Sequence, residues 1–195
     1  MMKALTRLGA AAALLLAPSA LAQTAVTPSA LWSRVQKIMH QHTLLPGSRR
    51  YQPGSRTADY YTIDGVNSAA LNAVRKAGSV EKTVRYPTGS ILIKENFAKN
   101  KKLINVTVMI KLDKFDKSDR NWLMANYSPN GVPLAFGKVK PCIQCHEVVK
   151  KQDLVFAPPP AQLLSPAFFK PFFPKQTASP RYAALLKKYP HNILP

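Results

Sequence analysis

A run of alternating residues in the middle of the chain constrains the fold most strongly. Between positions 103 and 112 every second residue is apolar: Ile104, Val106, Val108, Ile110 and Leu112. A period of two indicates a β-strand with one face in the core. Further strand-like segments, separated by short turns, lie at 83–86, 91–97, 122–127 and 134–139. Consecutive strands joined in this way predict an α+β fold, an antiparallel β-sheet-dominated single domain with peripheral helices.

Two segments ahead of this sheet have the spacing of amphipathic helices. Residues 29–45 place apolar side chains at helical intervals after the start signal of Thr27, and the Pro46-Gly47 pair ends the segment. Asn67 or Ser68 can cap a second helix, which we expect to end near position 78. A short strand is predicted at 60–63, and the turn at 87–89 predicts a hairpin of the strands 83–86 and 91–97.

The first 22 residues have the composition of a secretory signal peptide. Lys3 and Arg7 precede an apolar run of about ten residues, and Ala20-Leu21-Ala22 provides a small-x-small cleavage site. An uncleaved membrane anchor is the alternative, but this run is much shorter than the roughly 20 residues that span a bilayer. We therefore expect a cleaved signal peptide at 1–22 and an exported, periplasmic protein.

The rest of the chain divides by composition into a domain at 23–156 and a basic tail at 157–195. The tail holds nine of the 17 prolines, several phenylalanines and no acidic residue. Because proline fixes φ and lacks a backbone donor, the tail is predicted to be extended, apart from a short helix at 181–188. Its Phe-Phe pairs predict docking on its own domain, on a partner or at a membrane surface.

The charge of the chain is strongly unbalanced. There are 28 Lys and Arg against 9 Asp and Glu, so the formal net charge is +19, and removal of the signal peptide leaves 26 − 9 = +17. Export and the scattered placement of the lysines argue against a nucleic-acid partner. Such a charge suits an acidic redox partner or an anionic membrane surface, and solubility alone is a further explanation.

Both cysteines lie in one motif, Cys-Ile-Gln-Cys-His at 142–146. One helical turn places the thiols of Cys142 and Cys145 on the same side, where they can form thioethers with haem vinyl groups, and His146 then ligates the iron. The motif predicts one covalently attached haem c. A redox dithiol is the first alternative, but no βαβ pattern surrounds the motif. A structural zinc site is the second, but zinc needs more ligands than this region offers.

The sixth ligand of the iron decides what the haem can do. No methionine follows His146, and the candidates lie upstream: Met39, Met109, Met124, His40 and His42. The methionines are better explained as packing residues, and a bis-His haem is the weaker alternative. We therefore expect a distal position that is open to small molecules.

Four segments of the chain form a recognisable combination. They are the strand Ile93-Lys94-Glu95-Asn96, the strand Thr107-Val108-Met109, the Trp122 strand, and the haem motif followed by Asp153-Leu154-Val155-Phe156. It resembles the cytochrome P-460 and cytochrome c′-beta family over residues 59–157. The resemblance implies a homodimer of mainly β subunits, each with a five-coordinate c-type haem. It also implies either oxidation of hydroxylamine, as in the P-460 branch, or binding of nitric oxide, as in the c′-beta branch.

Two positions bear on the choice between these branches. Members of the P-460 branch join a lysine to the haem ring, which the resemblance assigns to Lys94; a solvent-facing lysine is the alternative. The same branch has a carboxylate two residues after the haem histidine, where this chain has Val148, and Glu147 stands one position earlier. Because a helix turns about 100° per residue, Glu147 is no simple substitute.

The sequence therefore predicts a protein that binds nitric oxide or related small nitrogen oxides, for which an apolar distal wall is sufficient. Candidates for that wall are Phe97, Phe115 and Phe136. The second hypothesis is a hydroxylamine-oxidising enzyme with Lys94 and Glu147 as catalytic residues. The third is an electron-transfer cytochrome.

Overall fold

A computed structural model describes residues 26–194, so the predicted signal peptide lies outside the described residues. One six-stranded antiparallel sheet forms the centre of the fold, and its strands are neighbours in sequence order. They are β1 Gln52–Pro53, β2 Tyr61–Val66, β3 Ile91–Phe97, β4 Leu103–Lys111, β5 Trp122–Tyr127 and β6 Pro133–Gly137. The predicted α+β, sheet-dominated class is confirmed.

Helices precede, interrupt and follow the sheet. They are α1 Pro28–Gln41, α2 Ser68–Ala77, α3 Lys140–His146, α4 Pro166–Phe169 and α5 Pro180–Lys188, with 3₁₀ turns at Glu147–Gln152 and Pro190–Asn192. Thr27 and Asn67 cap α1 and α2 through their side-chain oxygens, as their residue types predict. α1 ends before the predicted position 45 because His42 adopts the left-handed conformation. In the described part of the chain, no helix is long and apolar enough to cross a membrane.

Both faces of the sheet are buried, although the alternation in β4 predicted one buried face. α1 covers the first face, where Leu31 and Val35 pack in one cluster with Ile93 and Val108. The second face belongs to another cluster, which contains side chains of α2 and Ile143 of α3. The structure thus corrects the prediction of a solvated second face, because the segments after β2 and β6 return to cover it.

The two-sided burial changes the environment of individual residues in β4. Lys111 was expected on an exposed face, yet it is 5% exposed. Met109, which the sequence analysis explained as a packing residue, lies on the same face and is 9% exposed. Ile104 was expected in the core but is 38% exposed, and it lies in the first residues of β4, which are less buried than the rest of the strand. We refer below to the face that carries Lys111 and α3 as the motif face.

The predicted hairpin of residues 83–86 with β3 is wrong, since the segment before β3 is irregular. Its backbone is used elsewhere: the Tyr86 amide donates to Asp153 Oδ2 at 2.7 Å instead of pairing with a strand. Val84 points into solvent and is 68% exposed. A side chain 67 residues away in sequence thus overrides the local strand propensity.

The tail packs against the domain. The Thr57 amide donates to the Thr177 carbonyl at 2.8 Å, and Ser179 Oγ donates to the Gly54 carbonyl at 2.7 Å. Phe169 and Tyr182 are buried, each about 2% exposed. The short helix predicted at 181–188 corresponds to α5, which begins one residue earlier with a proline in its first turn.

Candidate haem site

The Cys-x-x-Cys-His motif forms the short helix α3. Pro141 stands in its first turn, where the missing amide costs no hydrogen bond. The thiols of Cys142 and Cys145 are free and half-buried, three residues apart on one helical turn. Burial raises the pKa of both thiols, with the nearby Arg56 charge acting in the opposite direction. Redox dithiols instead have a lowered pKa, so this environment argues against the dithiol alternative.

The ring of His146 is held in one orientation. Its Nδ1 lies 2.6 Å from the Leu154 carbonyl oxygen, so Nδ1 carries the proton and donates it, while Nε2 keeps its lone pair. Burial lowers the pKa of His146 to about 4, the bond to Leu154 opposes this effect, and the Lys94 charge adds to it. The imidazole is therefore neutral near pH 7, as a metal ligand must be.

Phe156 is a neighbour of His146 that the sequence analysis did not single out. Its ring meets the imidazole edge to face, with the centroids 4.8 Å apart and the planes at 63°. This contact and the bond to Leu154 together restrain the orientation of the imidazole. The only signal in the sequence was its place in the segment after the motif.

Lys94 lies on the motif face of the sheet. In the register of β2, β3 and β4 it stands between Asp64 and Thr107, and it is half-buried. Burial raises the pKa of Cys145, and the charge of Lys94 is the largest effect that opposes it. At His146 burial lowers the pKa, and the charge of Lys94 adds to that effect. The fold thus brings Lys94 to the haem motif. This placement favours a lysine that faces the haem over the solvent-facing alternative.

Asp64 is an acidic neighbour of Lys94 that the sequence analysis missed. Its Oδ2 accepts hydrogen bonds from Gln52 Nε2 at 2.5 Å and from Ser48 Oγ at 3.2 Å. Its Oδ1 is buried and has no partner among the described residues. Burial raises the pKa of Asp64, and the charge of Lys94 is the largest opposing effect.

Two further buried oxygens on the motif face have no hydrogen-bond partner in the described chain. They are Oδ1 of Asn96 and Oδ1 of Asn126, and both residues point to the motif face. Buried acceptors are normally satisfied, so three unpartnered oxygens on the face of the sheet that carries Lys94 indicate a place where the protein meets another group or a ligand. Together with two thiols one helical turn apart and a neutral imidazole, this environment fits a covalently held haem.

The comparison with known families agrees with this geometry. The cytochrome P460 family model matches residues 52–157, which is more than half of the 195 residues. The chain belongs to the cytochrome P460 family. No curated protein matches the chain. Membership implies a c-type haem protein, and the predicted resemblance is confirmed.

The match to the cytochrome P460 family spans the sheet and the motif but not the whole fold. It begins at β1 and ends just after Phe156. α1, which covers one face of the sheet, and the tail from position 158 lie outside it. These two segments are additions to the matched core.

Glu147, predicted as a catalytic residue, lies at the end of α3 and is exposed. It borders a surface groove together with Arg120, Lys150 and Lys151. Val148 follows it in the 3₁₀ turn and borders the same groove. The structure does not bring Glu147 into the polar group around Lys94 and Asp64, and its role as a base stays a prediction.

The candidates for a sixth iron ligand are dispersed. His40 and His42 are exposed at the end of α1, and Met39 packs against the cluster on the α1 face. Met109 and Met124 are on the motif face, directly paired across β4 and β5, and both are buried in its core cluster. The geometry therefore argues against a bis-His haem and leaves the two paired methionines as the protein side chains to test.

The three phenylalanines predicted for a distal wall are not grouped. Phe115 and Phe136 pack against the cluster on the α1 face, away from the motif face. Phe97 meets Tyr51, with the ring centroids 5.1 Å apart, at the end of β3. The interpretation of Phe115 and Phe136 as haem-wall residues is therefore wrong, because the register of β6 turns Phe136 to the α1 face and the loop after β4 packs Phe115 against the same cluster.

Proposed function

We propose that this member of the cytochrome P460 family is an exported mono-haem cytochrome c whose open distal position binds nitric oxide or related small nitrogen oxides. Cys142 and Cys145 would hold the haem through thioethers, and His146 would be the protein ligand of the iron. When bound, the haem supplies an iron centre that coordinates small nitrogen oxides.

The placement of the possible ligands carries this proposal. His146 is neutral and held by the Leu154 carbonyl, so its Nε2 is available to a metal. The exposed His40 and His42 lie at the end of a helix that packs on the other face of the sheet. Met109 and Met124 contribute to the core cluster, where a thioether serves as packing.

The binding kinetics of nitric oxide to the ferrous protein test the open position. We expect an observed rate that rises linearly with ligand concentration, because no protein ligand has to leave first. A rate that saturates, and becomes linear in Met109→Ala or Met124→Ala, would show that a methionine occupies the sixth position. Met39→Ala is the matched control, since Met39 packs on the α1 face.

Covalent attachment is tested separately, in an export-competent host that attaches haem to proteins. Haem should resist acid–acetone extraction from the unmodified protein and become extractable in the Cys142→Ala/Cys145→Ala variant. Haem retained in that variant would show that the thiols do not attach it. A Cys142–Cys145 disulfide in haem-free native protein would favour the dithiol alternative.

A second candidate function, hydroxylamine oxidation, is favoured by the polar group around Lys94. Hydroxylamine carries N–H and O–H donors, and the unpartnered Oδ1 atoms of Asp64 and Asn126 are acceptors on the face that carries Lys94. The P-460 branch has a carboxylate where this chain has Val148, and Asp64 would take the place of that carboxylate. It can accept a proton from a bound donor. Nitric oxide has no such donors, so these acceptors distinguish the two candidates.

Peptide mapping and a pair of variants test this second candidate. If Lys94 is joined to the haem, a proteolytic haem peptide should contain the Lys94 segment as well as residues 142–146. Asp64→Asn should then lower the rate of hydroxylamine oxidation by about 10²–10⁴, the usual effect of a lost acid–base group. Asp113→Asn, at an exposed carboxylate, is the control and should leave the rate unchanged. An equal rate in both variants would contradict the role of Asp64.

Localisation and partners complete the proposal. The leader-like residues 1–22 support a periplasmic location, and the charge of +17 after cleavage supports an acidic redox partner or an anionic membrane surface. A homodimer is proposed from the family, and the edge strand β6 with its exposed Leu134, 59% accessible, offers apolar surface for it. Sedimentation of the haem-loaded protein, with Leu134→Glu as the variant, tests the dimer.

A further inference from the structure

A buried ion pair lies directly behind the carbonyl that holds His146. Lys111 Nζ lies 2.8 Å from both carboxylate oxygens of Asp153. The two residues are 5% and 1% exposed. Asp153 is the residue before Leu154, whose carbonyl oxygen accepts the proton of His146 Nδ1. Only the short stretch of backbone from Asp153 to the Leu154 carbonyl therefore separates the ion pair from the imidazole.

The backbone at this point has an unusual conformation. Asp153 and Leu154 both have positive φ, 58° and 67°. Aspartate tolerates the left-handed region, but a leucine there costs roughly 1–2 kcal/mol. The Leu154 amide donates to the Val149 carbonyl at 3.2 Å, and its side chain is buried. Two consecutive left-handed residues turn the chain so that the Leu154 carbonyl faces back to the motif.

Three separate segments hold Asp153 in place. Besides the bonds from Lys111, its Oδ2 accepts from the Tyr86 amide at 2.7 Å and its backbone carbonyl accepts from Trp122 Nε1 at 2.8 Å. Arg120 adds a longer contact, with Nη1 3.8 Å from Oδ1. The loop before β3, the end of β4 and the start of β5 thus converge on one aspartate.

Stability alone is a weak reason for this arrangement. Taking two charges out of water costs several kcal/mol per ion, and apolar residues of similar volume often stabilise a core as well or better. What an ion pair adds is a defined geometry, because the carboxylate has bonds to Lys111 on both oxygens and to the Tyr86 amide on one of them. Because Leu154 is the next residue, the fixed position of Asp153 also fixes the position of the Leu154 carbonyl.

We propose that Asp153 and Lys111 are positioning residues for the iron ligand, because they fix the Leu154 carbonyl that holds His146. A short, aligned bond from Nδ1 makes an imidazole a stronger electron donor and fixes the direction of Nε2. The pair therefore sets both the strength and the orientation of the His146 bond to iron. This inference rests on the proposed role of His146, and it holds for either candidate function.

The test compares the haem-loaded, full mature protein with its Asp153→Asn and Lys111→Met variants. In the ferrous state we expect the iron–histidine stretching frequency, measured by resonance Raman spectroscopy, to shift down in both variants. The reduction potential should rise, because a weaker donor stabilises the ferric state less. Lys111→Arg keeps the cation and should restore most of both values.

Two controls separate positioning from a general loss of stability. Lys138→Met removes another ion pair, that of Lys138 with Asp116 at 2.5 Å, which does not bond to the Leu154 segment. Val35→Ala lowers stability from the core of the α1 face. Both should leave the stretching frequency and the potential unchanged. Frequencies that move equally in Val35→Ala and Asp153→Asn would overturn the proposal.

A measurement on the unmodified protein keeps the proposal testable if the variants do not fold. In the diamagnetic ferrous carbonyl form, the Nδ1 proton of His146 should be visible by NMR and exchange slowly with solvent. A rapidly exchanging Nδ1 proton would contradict the proposal. An iron–histidine band that persists in ferrous His146→Gly would show that another residue ligates the iron, and the role of His146 itself fails. A normal wild-type band that is unmoved in Asp153→Asn and Lys111→Met overturns the positioning role alone.

Discussion

The Arg56 guanidinium lies over the ring of Phe173, with its central carbon 3.7 Å from the ring centroid. Arg56 also pairs with Asp59, and its charge reaches both thiols of the haem motif. One side chain thus links the tail, the loop before β2 and the motif. The tail, which lies outside the family match, is therefore part of the environment of the candidate site.

This link predicts that single tail residues contribute to the stability of the domain. Ser179 caps α5 and donates to the Gly54 carbonyl, whereas Ser165 caps α4 through the Phe168 amide alone. Ser179→Ala should lower the free energy of unfolding by about 1–2 kcal/mol. Ser165→Ala should lower it less, because no bond to the domain is lost. Urea unfolding followed by circular dichroism measures both; an equal loss would mean that the tail is not coupled to the domain.

Two glycines with the same backbone conformation predict a matched pair of substitutions. Gly131 and Gly89 both have φ of 86°, but a Cβ on Gly131 would overlap the indole of Trp32, whereas the space around Gly89 is open. Gly89→Ala should cost roughly 1–2 kcal/mol for the left-handed conformation. Gly131→Ala should cost about 1–3 kcal/mol more, because the indole has to move. Thermal unfolding of both variants measures the difference, and equal losses would contradict the contact.

A buried carboxyl on the α1 side of the sheet predicts a pH dependence of stability. Glu95 is 9% exposed, and burial raises its pKa from 4.5 to about 7, with Arg50 acting in the opposite direction. Between these two values the folded state binds a proton that the unfolded state has released, so stability falls as the pH rises from about 4.5 to 7. The loss approaches about 3 kcal/mol and levels off above pH 7.

Glu95→Gln should remove this component, since the amide does not titrate. Unfolding of the wild type and the variant in the same haem state, measured from pH 4 to pH 8, gives the difference between them. That difference should grow with pH and become constant near pH 8. A difference that is independent of pH would show that the pKa of Glu95 is the same in the folded and the unfolded protein.

The thiols predict slow alkylation of haem-free folded protein. Burial raises the pKa of Cys142 and Cys145, so a smaller fraction is thiolate at pH 8 than in an unfolded chain. Iodoacetamide should therefore react several-fold more slowly with the folded protein than with the same protein in urea. Faster reaction in the folded state would indicate activated thiols, as in a redox dithiol.

The sequence alone determined the elements whose patterns are local. Three local patterns predicted their elements closely: the alternation in β4, the β-branched and aromatic residues of β3 and β5, and the caps of α1 and α2. Local propensity and tertiary contacts agree in these elements. The Cys-x-x-Cys-His spacing likewise predicted the haem motif without knowledge of the fold. A match to the cytochrome P460 family then confirmed the resemblance.

Tertiary structure decided what depends on distant partners. Nothing near Lys111 in the sequence shows that it is buried, because its partner Asp153 follows 42 residues later. The segment 83–86 has strand propensity, but the Tyr86 amide donates a hydrogen bond to that same aspartate, and the segment does not join the sheet. Asp64 follows the predicted strand 60–63 directly, and only the register of β2 and β3 sets it opposite Lys94. Burial and pairing are properties of the assembled fold, so local pattern determined the elements and the motif, while long-range contacts determined the site around them.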